Sequence, residues 1–246
     1  LMSAAIKFRS AEPMKWWRKT WDIIYFTSNV LISFLLGVVM GNLILGIDIG
    51  PNYEYKGGVL FTFLSPYAIM IGVSTLGFFM TQGAIFLLLK TEGRLHTRLI
   101  FLLKRSMILF ILSFAITSLY TLLFIEGVAD KFQAYPVFFI LPLLAFLAIA
   151  NIPRLASKKK YALALLFSSL TVAFLLMLAA FQLYPVLLPS TISPEYNITI
   201  YNAASSQKSL GIMLTIVVIG APLIALYFLF LYKTFNGKVQ LDDTSY

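Results

Sequence analysis

The chain has 246 residues, of which 60% are hydrophobic and only 12% charged, with a mean hydropathy of +0.88 and a formal net charge of +9. A water-soluble domain carries about 25% charged residues, so the composition excludes one and points to a bilayer. With no cysteine in the chain, disulfides, thiolate metal sites and cysteine nucleophiles are excluded as well.

The first six residues, LMSAAI, run straight into KFRSAEPMKWWRKTWD. A signal peptide places its basic residues before its apolar region, and the order here is the reverse. Leu1 to Ile6 therefore predicts the last turn of a preceding apolar helix, and the chain is expected to be a fragment of a longer subunit. Residues 1–22 then form the end of that helix and a connection. Pro13, Trp16, Trp17 and Trp21 predict an interfacial turn with indoles at headgroup depth, and Asp22 is expected to open the first complete helix at its positive dipole end.

Six stretches without Asp, Glu, Lys or Arg follow: Ile23 to Ile47, Gly57 to Leu89, Ser106 to Ile125, Phe132 to Pro153, Tyr161 to Pro194 and Ser209 to Tyr232. Each is long enough to cross about 30 Å of hydrocarbon as a helix. A charge at a helix centre costs about 2.5–3.5 kcal/mol on insertion scales, which confines charges to the connections. The fold class is thus an all-α polytopic bundle. Its spans are predicted at residues 23–46, 66–89, 106–125, 136–152, 161–184 and 210–232, within a membrane domain at 23–233 followed by a tail at 234–246.

In the first span Ser33, Gly37 and Gly41 recur every four residues, a stripe that lets a neighbouring helix approach closely. Packing is the role assigned to these three. The amides at membrane level, Asn29, Asn42, Gln82, Asn151 and Gln182, are expected to bond across helix interfaces or lie near headgroups. Gln82 is placed deepest. Between the second and third spans, Lys90 to Arg98 reads as a connection in which Gly93 is available to end a helix. His96, the only histidine, reads there as a solvated loop residue. Pro66, Pro136, Pro142 and Pro222 are candidate kinks, and Asn197-Ile198-Thr199 matches a glycosylation sequon in an outer connection.

The charges alternate along the chain. Five basic residues lie before the first span (Lys7, Arg9, Lys15, Arg18, Lys19) and five between the second and third (Lys90, Arg94, Arg98, Lys104, Arg105). Four lie between the fourth and fifth (Arg154, Lys158, Lys159, Lys160) and two in the tail (Lys233, Lys238). The remaining connections hold only Lys56, Lys131 and Lys208. The positive-inside rule makes the basic face cytoplasmic and predicts both ends of the chain inside. The net positive charge is this topology signal and not a nucleic-acid patch, which would need a solvated domain.

No catalytic, cofactor-binding or metal-binding residue is assigned. Haem within a membrane usually needs axial His, or His with Met, and the only histidine lies in a connection. The methionines at 40, 70, 80, 107, 177 and 213 read as soft packing residues. Proton and ion carriers place ionisable groups inside the membrane, and the charge-free stretches offer none. A Ser or Thr nucleophile would lack a positioned base. From the residues alone the chain is a polytopic subunit that packs against something else, with a transporter or permease component as the alternative.

The run FLSPYAIMIGVSTLGFFMTQGAIFLLLKTEGRLHTR, Phe63 to Arg98, resembles the central region of subunit II of cytochrome bd-type quinol oxidases. FRSAEPMKWWRKTWD, GVVMGNLILG, LFSSLT, YPVLLPSTISPEYNITIYNAASSQKSLGIML and YKTFNGKV resemble that family in the same order, from about Lys7 to Val239. The resemblance implies a non-haem-ligating subunit that supports quinol oxidation and oxygen reduction to water in the respiratory chain of a bacterial or archaeal cytoplasmic membrane. It implies haems b and d and the quinol site in a partner, the haem-bearing subunit I, with membrane lipids as further partners and a bound quinone as a further candidate. It also implies earlier helices, bearing acidic motifs that do not occur in this sequence.

Overall fold

A computed structural model of the chain describes residues 1–58, 60–125, 128–235, 237 and 238. Its helices are α1 (Met2–Arg9), α2 (Lys15–Leu45), α3 (Pro66–Lys90), α4 (Gly93–Phe124), α5 (Val128–Ala134), α6 (Ile140–Ser157), α7 (Tyr161–Leu183) and α8 (Gln207–Thr234). Six helical segments are long and apolar enough to cross a membrane, at Lys15–Leu45, Pro66–Lys90, Gly93–Phe124, Pro136–Ser157, Tyr161–Leu183 and Gln207–Thr234. The fourth begins as a 3-10 turn at Pro136–Phe139, ahead of α6. The six predicted spans all fall inside these segments to within a residue.

Several helices run past the apolar stretch that announced them, because charge ends a membrane span without ending a helix. Lys and Arg are good helix formers, and their stems can lie along apolar surface while the charged heads reach water. Asp22 accordingly does not open α2. That helix starts at Lys15, and the Asp22 carboxylate accepts from Arg9 Nε at 2.7 Å. Gly93 does not close α3 either: Thr91 is the C-cap, and Gly93, at φ +65°, is the first residue of α4. The expected loop from Lys90 to Arg98 shrinks to Thr91 and Glu92. His96 sits in the first turn of α4, half-buried rather than solvated.

At the other end of α3 the start signal is the ordinary one. Ser65 Oγ accepts from Ala68 N at 3.2 Å, with Pro66 in the first helical turn. The α3 helix is the most enclosed of the spans. It packs against α2 and α4 and touches α7, which pairs with α6. Ala84, Ile85 and Leu88 of α3 meet Leu99 and Leu103 of α4, Ile152 of α6 and Ala164 of α7 in one buried cluster. A second cluster joins Phe78, Phe110 and Ile149.

These contacts give the molecule two chemically different ends. Gly37 of α2 faces Gly72, and Gly41 faces Ala68, so α2 and α3 are antiparallel and the first turns of α2 lie toward the Lys90 end of α3. The cluster around Leu88 brings the α3–α4 and α6–α7 turns to that end, and Lys90 Nζ reaches Phe235 O, just past α8, at 2.7 Å. The basic connections therefore gather at one end. At the opposite end the strands β1 (Val186–Leu188) and β2 (Ile198–Thr199) pair antiparallel, and Ile47 N donates to Pro189 O at 2.9 Å.

Candidate functional site

The close face between α2 and α3 is built from small residues. Gly37 and Gly41 are buried, and Ser33 is half-buried one turn earlier. A Cβ on Gly37 would lie 2.6 Å from Thr75 Oγ1, 2.7 Å from Gly72 Cα and 2.8 Å from Ile71 O; one on Gly41 would lie 2.6 Å from Ala68 Cα. Backbone meets backbone here with no room for a side chain. Beside Gly41, the buried Asn42 amide donates to Val38 O at 2.8 Å and across to Phe63 O at 2.7 Å, fastening the end of α2 to the segment that leads into α3.

The face between α3 and α4 carries hydroxyl pairs instead. Tyr67 and Thr121 lie 2.9 Å apart, and Ser74 and Thr117 3.1 Å apart. Thr117 and Thr121 donate their single protons to the carbonyls of Ser113 and Thr117, so toward α3 their oxygens act as acceptors, and Tyr67 donates to Thr121. Deeper along α3 the Phe78 and Phe110 rings meet edge-on at 5.0 Å. Toward α7, Gln82 Oε1 accepts from the buried Ser168 Oγ at 3.0 Å. Of the five amides singled out, Asn42 and Gln82 bond across elements, whereas Asn29 and Asn151 turn back on their own helices. Gln182 Oε1 is buried without a hydrogen-bond partner among the described residues.

Two lysines act at helix ends other than their own. Lys90 Nζ donates to Phe235 O at 2.7 Å and Gly237 O at 3.2 Å, beyond the C-terminus of α8, and Lys238 pairs with Glu92. On α5, Lys131 Nζ donates to Gln182 O and, at 2.8 Å, to Tyr184 O, at the C-terminus of α7. Both place a cation where the helix dipole is negative. Burial pushes the Lys131 ammonium below its ordinary pKa.

His96 Nδ1 lies 3.2 Å from Thr91 O, and its ring meets Tyr161 edge-on at 5.8 Å. Among the described residues no group of three or more His, Asp or Glu side chains is arranged to hold a metal. The sequon residue Asn197 is used in the outer fold: its Oδ1 accepts from Ser190 N at 2.7 Å. Sequence reasoning missed the two lysine clasps. Nothing in the local pattern links Lys90 to a carbonyl more than a hundred residues away.

Comparison with known proteins adds to this geometry. Residues 1–235 match the family model described as cytochrome bd terminal oxidase subunit II. The chain is 26% identical to cytochrome bd-I ubiquinol oxidase subunit 2 of Escherichia coli K12, over 96% of this chain and 70% of that protein. It is 24% identical to a probable cytochrome oxidase subunit 2 of Haemophilus influenzae, over 98% of this chain and 71% of the relative. With cytochrome bd ubiquinol oxidase subunit 2 of Bacillus subtilis it shares 25% identity, over 85% of this chain and 61% of the relative.

Proposed function

The chain belongs to the cytochrome bd terminal oxidase subunit II family, a subunit of a quinol oxidase, and from that premise we propose that it is the non-haem-ligating membrane subunit of its complex. In this reading it supports quinol oxidation and the reduction of oxygen to water in the respiratory chain. Haems b and d and the quinol-oxidising site belong to the partner, the haem-bearing subunit I. Residues 23–233 form the membrane domain, whose work is to pack against that partner and hold it in shape.

The observation that carries the proposal is the chemistry of the donor set. The single imidazole of the chain stands at the α3–α4 turn, at the edge of the membrane, with Nδ1 engaged by Thr91 O. Axial ligation by His, or by His with Met, needs an imidazole inside the bundle, so the residues present do not fit a haem held between these helices. The interior is instead committed to packing, through Gly37 and Gly41 on one side of α3 and hydroxyl pairs on the other.

The gathering of Lys and Arg at one end of the bundle supports a cytoplasmic location for that end in a bacterial inner membrane. Both ends of the chain then lie inside.

An affinity tag on this chain tests the proposal. Co-purification with a haem-rich partner and quinol-driven oxygen uptake are expected, and His96→Ala should leave the reduced-minus-oxidised haem spectrum and the pH profile of quinol oxidation unchanged. Recovery of the chain without haem, or loss of a haem band in His96→Ala with normal assembly, would overturn it.

A further inference from the structure

At the corner where α1 turns into α2, α1 packs on α2, and the surface concentrates charge and aromatic side chains. Lys7, Arg9, Lys15, Arg18 and Lys19 stand against only Glu12 and Asp22 between Lys7 and Asp22. All five cations are exposed. Lys15, Arg18, Lys19 and Asp22 recur at three- and four-residue spacing, which puts them on one face of the opening turns of α2. The aromatic residues hold the corner closed. Trp17 Nε1 donates to Phe8 O at 2.7 Å, and the Phe8 and Trp21 rings stack at 5.3 Å.

Between the two helices lies a cavity of about 300 Å³, lined by Ala5, Ile6, Arg9, Trp21, Asp22 and Tyr25. One of its donors, the Arg9 guanidinium, is only partly spent. Arg9 gives its Nε to Asp22 at 2.7 Å, while its terminal nitrogens make no hydrogen bond among the described residues. A guanidinium with its terminal nitrogens free can give a phosphate charge-assisted hydrogen bonds. The corner precedes the charge-free run from Ile23 to Ile47 directly, so it lies at headgroup depth.

We propose that this corner binds the headgroup of an anionic phospholipid. Arg9, Arg18 and Lys19 supply the positive field, the Arg9 terminal nitrogens donate to a phosphate oxygen, and an acyl chain lies against Ile6 and Tyr25. The Asp22 carboxylate opposes an anion, but it is paired with Arg9 and lies one turn from Arg18 and Lys19, so the local field stays positive. A zwitterionic lipid gains less there, because its own cation meets the same field. A free phosphate ion would meet the same donors but gain nothing from Ala5, Ile6 and Tyr25. The proposal concerns this chain alone and does not rest on the oxidase reading.

The three tryptophans of the chain all lie in this corner, so its intrinsic fluorescence reports on the site. The full chain is reconstituted into phosphatidylcholine vesicles containing phosphatidylglycerol, with bromine on the acyl chains of one lipid at a time. Brominated phosphatidylglycerol should quench at a mole fraction at least about threefold lower than brominated phosphatidylcholine does. The double variant Arg18→Gln, Lys19→Gln should lose that preference. Lys158→Gln with Lys159→Gln, which removes the same charge at the α6–α7 turn, should keep it. Equal quenching by the two lipids in the unaltered chain overturns the proposal by itself, whether or not any variant inserts. So does equal loss of preference in both double variants, and so does release of the lipid by inorganic phosphate, which would mark a site for a free anion.

Discussion

At Gly37 one hydrogen in place of a methyl group decides how near α2 comes to α3. Any Cβ there would press on Gly72 Cα and Ile71 O, backbone atoms that cannot swing aside. Gly37→Leu is therefore expected to cost about 1–3 kcal/mol by overpacking and to lower the yield of intact complex on size exclusion. The proper control is Val39→Leu, because Val39 is 56% exposed whereas Val38 is itself buried at 4%. Equal yields from the two variants would remove the packing role of the stripe. Lys131 offers a second test at this scale. Lys131→Met removes the cation from the end of α7 and should destabilise the outer connection by about 1 kcal/mol. Because burial lowers the Lys131 pKa, the folded chain releases this proton before the unfolded chain does. The advantage of the unaltered chain over Lys131→Met should thus grow as pH climbs from the folded pKa to the ordinary lysine value, and stay constant below that window. A gap that narrows with rising pH in denaturant titrations would show that the two carbonyls, not burial, govern the group.

Among the elements, α8 is held least by its neighbours. It has no buried residue along its length, while Lys90 and the Lys238–Glu92 pair fasten the chain just past its C-terminus to the α3–α4 turn. Lys90→Met is expected to leave the helix formed, since propensity and apolar surroundings maintain it, but to loosen that end. Amide exchange at Tyr232 to Phe235 should quicken while α3 stays unchanged; an unaltered rate would mean that Lys90 does not hold α8. The spans themselves were legible because charge is expelled from hydrocarbon, and that expulsion writes itself directly into the order of residues. Helix beyond the charge was not, since Lys15 to Asp22 and Gly93 to Arg105 are compatible with loop and helix alike. The short α5 hid for the same reason, with Lys131 inside a brief run between two spans. Gly37 and Gly41 were visible as small residues, but their partners Gly72 and Ala68 were not. Likewise any Ser or Thr in a helix can turn to its own carbonyl, so the pairing of Tyr67 with Thr121 and of Ser74 with Thr117 depends on tertiary contacts that no local pattern states.

For the molecule as a whole, the decisive property is that its two ends differ in chemistry. Sixteen of the nineteen Lys and Arg residues belong to the connections gathered at the Lys90 end, whereas Lys56, Lys131 and Lys208 belong to the other. That other end is ordered by polar backbone contacts: Ser190 Oγ donates to Ile49 O at 2.7 Å, and Asn202 Nδ2 donates to Asn197 O at 2.8 Å. If retention of Lys and Arg on the cytoplasmic side sets the orientation, the strand-bearing end faces outward and every basic turn faces in. The absence of native cysteine makes this directly measurable. Ser205 and Lys158 are both exposed and lie at opposite ends of the bundle. Asn197 is a poor choice for a label because its side chain holds Ser190. A membrane-impermeant maleimide should modify Ser205→Cys on intact cells and Lys158→Cys only after permeabilisation. The reverse pattern would invert the orientation, and modification of both from outside would contradict the separation of the two ends. Neutralising Lys90, Arg94, Arg98, Lys104 and Arg105 together should then lower the fraction of chains in which Ser205→Cys is reached from outside, because it removes the basic residues of one inward turn without touching the apolar length of any span.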